Sequence, residues 1–563
     1  MKQLIECVPN FSEGRDMNII RQITDVIERV EGVKLLDVDP GKATNRTVVT
    51  FVGEPEQVIQ AAADAIGKAA ELIDMSKHTG EHPRMGATDV CPLVPVSGIT
   101  MQETVEWAHK LGEIVGERYD IPFYMYESAA TRPDRRNLAT VRAGEYEALP
   151  EKLAKAEWRP DYGPAKFNPR AGATAIGARD FLIAYNINLN TTSVRRANSV
   201  AFDVREKGRV KRKGDPITGE IITNEQGEAE RIPGELKSVK GIGWYIEEYG
   251  LAQVSMNLTD INETPLHICF EACRASATRR GMRVTGSELV GLVPLRVMTD
   301  AGRYFLEQQR RSTGVSEREL IKIAVKSMGL DDLTPFDPDK KIIEYRLDHY
   351  DERPLADMTL THFANETASE SPAPGGGSIA AYLGTLGASL ATMVANLSSH
   401  KRGWDDRWQE YSNWAAEGQL LKDELLRAVD ADTEAFNNIM AAFRMPKGSD
   451  EEKAQRKQAI QDATKGAIEV PMHVMELSLS SFVLIKAMAE TGLPSSVSDA
   501  GVAALCARAA VIGAYLNVKI NAGGLTDTEY RDRVLKRGQK MVKRAKKVEK
   551  EVLGIVHGVI DGE

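Results

Sequence analysis

KLLDVDPGKATNRTVVTFVGEPEQVIQAAADAIGKAAELID, residues 34–74, holds two apolar runs (34–40 and 45–53) followed by an Ala-rich run with helical spacing. Two strand-like runs joined by a polar, Gly-containing turn and then a helix form the inner half of a β-α-β-β-α-β unit. On the amino-terminal side, QLIECVP (3–9) reads as a strand and MNIIRQITDVIERV (17–30) as an amphipathic helix. On the other side VCPLVPV (90–96) is a strand, 102–119 a helix and PFYMYES (122–128) a strand. The order then returns. FLIAYNINL (181–189) is a strand, 193–208 a helix, GIGWYIEEYG (241–250) and AQVSMNLT (252–259) a strand pair, 265–281 a helix and ELVGLVPLRV (288–297) a strand. Cys91-Pro92-Leu93-Val94-Pro95 is echoed by Gly291-Leu292-Val293-Pro294-Leu295. Repetition of this kind predicts two similar subdomains facing each other.

The expected fold is multi-domain: two duplicated α/β subdomains of split βαβ, ferredoxin-like type, then an all-α helical-bundle domain. The boundaries are 1–180, 181–330, a linker at 331–356 with one strand at KIIEYRL (341–347), and 357–563. Residues 208–237 are polar, lack aromatics and read as a long mobile surface excursion. The helical half breaks at SPAPGGGS, at Arg402–Gly403, near MPKGSD and at TGLPSS. Residues 371–399 carry no charge and are long enough to cross a bilayer, but Gly384, Ala388 and Thr392 at four-residue spacing suit close helix packing. Without basic flanks or a second such segment, this reads as a buried bundle or subunit-interface helix, with no membrane span.

With 72 Lys and Arg against 81 Asp and Glu, the net charge of −9 gives no global attraction to nucleic acid or anionic lipid. Five scattered cysteines form no disulfide framework and fit a reducing compartment. MKQLIECVPNFSEGRD offers no apolar leader, so a cytoplasmic setting is expected.

His78-Thr79-Gly80-Glu81-His82 matches the H-x-x-E-H zinc pattern. That pattern needs a helix, and Gly80 with Pro83 breaks one, so no metal is expected. A turn-placed His82 beside Glu81 and Arg84 suits a general base. GPAKFNPRAG (163–172), on residue types alone, reads as an interdomain linker. In VDADTEAF (429–436), Asp432 falls on the stripe Leu425, Ala428, Asp432, Ala435 and Ile439; Leu426, Val429, Thr433, Phe436 and Met440 form the adjoining apolar stripe. Asp430 lines up with Asp423, Arg427, Glu434 and Asn437 on a solvated face. Asp432 is thus the carboxyl set into the apolar face, where desolvation favours a proton donor; a buried Asp holding a neighbouring helix end is the other reading. SPAPGGGS lacks the G-K-[ST] of a nucleotide loop; its glycines make either a tight turn or an anion-binding helix start. Arg531–Lys550 carries ten basic and two acidic residues, +8, outside an apolar stripe of Val534, Gly538, Met541, Ala545, Val548 and Val552. That face is either simply solvated or a tether for a polyanionic tail.

ECVPNFSEG, LLDVDPGKATNRT, IDMSKHTGEHPRMGATDVCP, VRAGEYEALP and GIGWYIEE with LAQVSMNL resemble glutamate formimidoyltransferase. SPAPGGGS, VDADTEAF and AYLNVKIN resemble formimidoyltetrahydrofolate cyclodeaminase. In order along nearly the whole chain, they resemble the bifunctional formimidoyltransferase-cyclodeaminase family; the long 208–237 excursion and the stretch near 400–412 depart from it. The resemblance implies transfer of a formimidoyl group from formimidoylglutamate to N5 of tetrahydrofolate, a step of histidine degradation. Closure onto N10 follows, giving 5,10-methenyltetrahydrofolate and ammonia. It places the transferase's catalytic histidine on His82 and the cyclodeaminase's catalytic aspartate on Asp432. The folate-contacting segment falls on Gly163, Pro164, Ala165, Lys166, Phe167, Asn168, Pro169, Arg170, Ala171 and Gly172. Lys166 and Arg170 then offer cations to a glutamate carboxylate and Phe167 a stacking ring, with Arg46 and Arg84 as candidates for the donor's carboxylates. Tetrahydrofolate, polyglutamylated, is the expected co-substrate, and a homo-oligomer the expected assembly. A transferase with an inactive helical half, and a polyglutamyl-folate scaffold, are the alternatives.

Overall fold

The strands and helices of the first half follow from short apolar runs bounded by caps. The computed structural model describes residues 3–41, 45–79, 83–214, 219–346 and 353–562. The chain forms two units, Met1–Met298 with Met328–Tyr350, and Thr299–Ser327 with Asp351–Glu563.

In the first unit the order is β1 (Leu4–Cys7), β2 (Asn10–Phe11), α1 (Met17–Glu28), β3 (Val33–Gly41), β4 (Arg46–Gly53), α2 (Pro55–Leu72), β5 (Thr88–Ser97), α3 (Met101–Arg118), β6 (Phe123–Glu127) and β7 (Thr174–Ala178). Asp16 caps α1, and Thr100 with Glu103 makes a capping box on α3. One seven-stranded sheet has the path β1-β4-β2-β5-β7-β6, with β3 on β4 and β1 also paired to β5. β7 runs parallel to both β5 and β6. Val58, Ile59 and Ile66 of α2 are buried among alanines that let the helix approach the sheet. Each such side chain contributes roughly 1.5–3 kcal/mol by leaving water. β2 has two residues and β7 is TAIGA, too short and too small to stand out as strands in the sequence.

The same unit holds β8 (Ile183–Leu189), α4 (Val194–Val204), β9 (Val239–Ile246), β10 (Leu251–Leu258), α5 (Leu266–Arg279) and β11 (Val284–Val290). These strands make an antiparallel sheet in the order β9-β10-β8-β11. Three expectations are corrected here. The strand read at 288–297 ends at Val290, and a helix, α6 (Leu295–Gln308), begins after Pro294; the echo of Cys91–Pro95 is therefore not repeated as strand. KIIEYRL contributes one bridge, Ile342 to Val293, and then a tight turn at Glu344–Arg346. The 208–237 excursion is paired into two short ribbons, Arg209–Val210 with Arg231–Ile232 and Arg212–Lys213 with Glu220–Ile221.

The second unit is helical: α7 (Leu360–Thr367), α8 (Gly376–Ser399), α9 (Trp408–Arg444), α10 (Asp450–Thr491), α11 (Val497–Ala522) and α12 (Thr528–Asp561). The breaks fall at the expected Gly- and Pro-bearing segments. Gly384, Ala388 and Thr392 are buried, as their spacing requires of a packing seam. Val534, Gly538, Met541, Ala545 and Val552 make the buried stripe of α12, with its cations outward. The reading of a single span-like segment is corrected. By length and composition three helices qualify, at Gly376–Ser399, Asp450–Thr491 and Pro494–Ala522, and 61%, 56% and 44% of their apolar windows lie inside the bundle. The charges of α10 cluster near its start, so its later turns are apolar enough to meet that measure.

Candidate functional site

His78 ends the turn Met75–Lys77, and two contacts fix its ring. Nε2 lies 2.9 Å from the Asn45 carbonyl, which only accepts, so the proton sits on Nε2. Nδ1 then accepts from Arg84 Nε at 3.3 Å. The other Arg84 nitrogens form a fork on Glu147, at 2.7 and 3.0 Å, and reach Glu145 at 3.0 Å. This guanidinium holds the Glu147 carboxyl below its usual range. Asn45 accepts from the Gly14 amide and donates to the Thr79 carbonyl. Thr79 and Arg84, on either side of residues 80–82, are thereby pinned. His82 and Glu81 themselves lie outside the described residues.

The Gly163–Gly172 loop is built against the same segment. The Ala87 amide donates to the Ala171 carbonyl at 2.8 Å, and the Ala173 amide to Met85 at 2.9 Å. Gly172 has φ +69°, and a Cβ there would stand 2.2 Å from the Met85 carbonyl oxygen, so this crossing needs glycine. Asn168 accepts from the amides of Arg170 and Ala171 and donates to the Asp120 carbonyl. Phe167 lies 5.5 Å from the Tyr146 ring, whose hydroxyl donates to the Pro169 carbonyl. Gly163, Ala165, Lys166, Pro169 and Arg170 are exposed, Pro164, Phe167 and Asn168 half-buried, and Ala171 and Gly172 buried. Arg170 donates to the Glu71 carbonyl at 2.6 Å, so Lys166 is the loop's more available cation. Arg84 is likewise engaged by two carboxylates rather than turned outward.

Behind this segment Asp89, 1% exposed, pairs with Arg142 at 2.6 Å and accepts from the Met85 amide at 3.0 Å. Burial pushes its carboxyl up, and pushes Arg46 beside it down. Asn45, Asp89, Arg142, Glu145 and Glu147 are not singled out by the sequence as site residues, and His78 enters there only through the rejected zinc pattern. Asp89 has a signal of its own, an isolated carboxylate entering an apolar strand.

In the helical unit Asp432 sits where α9 crosses the first turn of α8. A Cβ on Gly377 would stand 2.0 Å from Asp432 Oδ1, so the last residue of the glycine run clears space for this carboxyl. The Ser378 hydroxyl donates to the Val429 carbonyl at 2.9 Å and lies 3.4 Å from Asp432 Oδ2. Burial raises the Asp432 carboxyl, and Ser378 opposes the shift in part. Among the described residues no cation pairs with Asp432. Gly376 faces the Asn517 amide, at 3.7 Å from a Cβ. SPAPGGGS, VDADTEAF and AYLNVKIN thus meet at one place. Asp430 is a correction. It is half-buried, and its carboxylate accepts from the amides of Leu355 (2.8 Å) and Ala356 (3.2 Å), which a solvated face would not provide. The adjoining stripe also opens outward, with Phe436 and Met440 43% and 37% exposed. Among the described residues, no three His, Cys, Asp or Glu side chains gather as metal ligands.

Family models match in register with this organisation. "Formiminotransferase domain, N-terminal subdomain" matches residues 4–179, "Formiminotransferase domain" 184–348 and "Formiminotransferase-cyclodeaminase" 359–540. The formimidoyltransferase-cyclodeaminase of Mus musculus is 43% identical over 98% of this chain and 99% of its own. The glutamate formimidoyltransferase of Streptococcus pyogenes is 40% identical over 54% of this chain and 94% of its own. The methenyltetrahydrofolate cyclohydrolase of Methylorubrum extorquens is 38% identical over 32% and 86%. With two pinned sites and full-length likeness to relatives, the chain belongs to the formimidoyltransferase-cyclodeaminase family.

Proposed function

We propose that the first unit transfers the formimidoyl group of formimidoylglutamate to N5 of tetrahydrofolate. The helical unit then closes 5-formimidoyltetrahydrofolate onto N10, releasing ammonia and leaving 5,10-methenyltetrahydrofolate. The observation that supports this reading is the hydrogen bonding of Ala171 and Ala173 to Met85 and Ala87, which joins the loop that the resemblance assigns to folate to the segment following the one it assigns to the catalytic histidine. N5 attacks the amidine carbon, loses its proton to His82, and His82 returns a proton to the departing glutamate nitrogen. The Arg84, His78 and Asn45 network holds the flanks of that segment. In the helical unit Asp432, whose carboxyl burial shifts toward its protonated form, donates to the leaving amine as N10 closes the ring. No metal takes part in either step.

We read the two sheets of the first unit as a duplicated ferredoxin-like pair, with subdomains 1–180 and 181–330, a linker 331–356 and a helical domain 357–563. Its support is the matching strand order: β3-β4-β1-β5 and β9-β10-β8-β11 place equivalent strands alike. Polyglutamylated folate and a cytoplasmic homo-oligomer complete the reading. Leu386, Met393 and Leu397 of α8 and Val502, Leu505, Leu516 and Ile520 of α11, all exposed apolar residues, support the oligomer. The unpaired state of all five cysteines accords with the cytoplasm.

The test is a coupled assay from formimidoylglutamate and tetrahydrofolate, with methenyltetrahydrofolate absorbance and ammonia read separately. Equal yields of the two products are expected. Glutamate release without ammonia would leave a transferase with an inactive helical half, and binding without turnover would leave a folate scaffold.

A further inference from the structure

The excursion between α4 and β9 closes one wall of a cavity of about 750 Å³ on the helix side of the second sheet. α4 lines it with Arg196 and Asp203, the end of α5 with Arg279 and Arg280, and the ribbon strand at 209–210 with Arg209. Four guanidiniums face Asp203 and Glu235, which leaves the lining at +2 (four minus two).

Asp203 is saturated. It pairs with Arg209, with Arg280 at 2.5 Å and with the Ser276 hydroxyl at 2.8 Å, and Arg279 lies 3.9 Å away. Arg209 and Arg280 are each pushed below the usual arginine range, first by burial and then by a neighbouring arginine. Asp203 offsets part of this gathering of like charge, and a bound anion would offset the rest. Helix-end capping explains Arg280, which donates to the Ser276 carbonyl at 3.1 Å, and Arg209 is held by Asp203 and the Ser199 carbonyl, but neither accounts for Arg196. The size also exceeds an ion's needs, and lies within the range of small-molecule sites. Phe202, Ile232 and Pro233 supply an apolar wall beside the charges.

We propose that this cavity binds a phosphorylated small molecule, its phosphate monoester dianion among the arginines and its organic body on Phe202, Ile232 and Pro233. A dianion matches the residual +2, whereas a single carboxylate leaves half of it. The site is separate from the residues assigned to either reaction, and it gives the 208–237 excursion a role as its wall.

The experiment uses the full chain and three probes: AMP, inorganic phosphate and succinate, each followed by calorimetric titration and thermal shift. Arg196→Gln with Arg279→Gln is the test variant, chosen because Arg196 is exposed and the Arg279 side chain is 57% exposed, so the fold should persist. Arg196→Lys with Arg279→Lys is its conservative partner. AMP is expected to bind more tightly than phosphate, to weaken at least tenfold in the Gln variant and to recover in part in the Lys variant. Absence of AMP binding, binding unchanged in the Gln variant, or succinate binding as tightly as AMP would each overturn the proposal.

Discussion

The two candidate sites handle charge in opposite ways. In the α/β unit every ionisable group described around the 78–87 segment has a partner. His78 is locked between a carbonyl and a guanidinium, Arg84 between two glutamates, and Asp89 against Arg142. In the helical unit Asp432 stands without a cation partner among the described residues, held by Ser378 and by burial alone. Partnered groups give rigidity, which suits a segment that holds its neighbours in place. A lone carboxyl under desolvation keeps its proton to higher pH, which suits a donor.

The largest expected effect breaks the first side. His82→Ala should lower formimidoyl transfer about 10²–10⁴-fold while sparing cyclisation of supplied 5-formimidoyltetrahydrofolate, since a general acid–base is worth about that much. Transfer near the parent rate would remove His82 from the mechanism. Next, Gly377→Ala drives a methyl into Asp432 and should lower cyclisation about 10²-fold, the order of a misplacement by about 1 Å. Transfer in that variant should be unchanged when assayed by glutamate release. Arg84→Gln sharpens the contrast at lower amplitude. It leaves Glu145, Glu147 and His78 without their shared donor, so transfer should fall about tenfold while stability drops by about 1.5–3 kcal/mol, the range for hydrogen bonds to charged groups. A melting temperature unchanged from the parent would deny the network its structural part. The smallest effect belongs to Asp430→Asn, which keeps one acceptor for the Leu355 and Ala356 amides. About 0.5–1.5 kcal/mol of stability and little cyclisation activity should be lost.

The same contrast explains what the sequence reveals. Helical period alone places Asp432 on the apolar face, because spacing by three and four is intrinsic to one helix. It misplaces Asp430, since its partners Leu355 and Ala356 come from another segment that no period within α9 can report. The residues of the first candidate site are loop-borne. Asn45, His78, Arg84, Glu145 and the 163–172 turn meet only through tertiary hydrogen bonds, so residue types alone leave GPAKFNPRAG looking like a linker and only family resemblance marks it. The strands were legible where alternation or apolar runs reached seven residues. β2 and β7 were not, and the strand reading at 288–297 ran past Val290 because apolar runs do not show where pairing stops.

Asp432→Asn in the coupled reaction, followed across pH, tests the central claim of two separately built sites most directly. In the parent, cyclisation should fall as pH rises through the raised Asp432 pKa, because the donor loses its proton there. For the same reason burial of this carboxyl subtracts stability above its unfolded pKa, and removing the charge should leave the melting temperature at neutral pH equal or higher. The account predicts that the variant still consumes formimidoylglutamate, accumulates 5-formimidoyltetrahydrofolate and releases almost no ammonia. Ammonia release at the parent rate, or loss of transfer together with cyclisation in a folded variant, would contradict it.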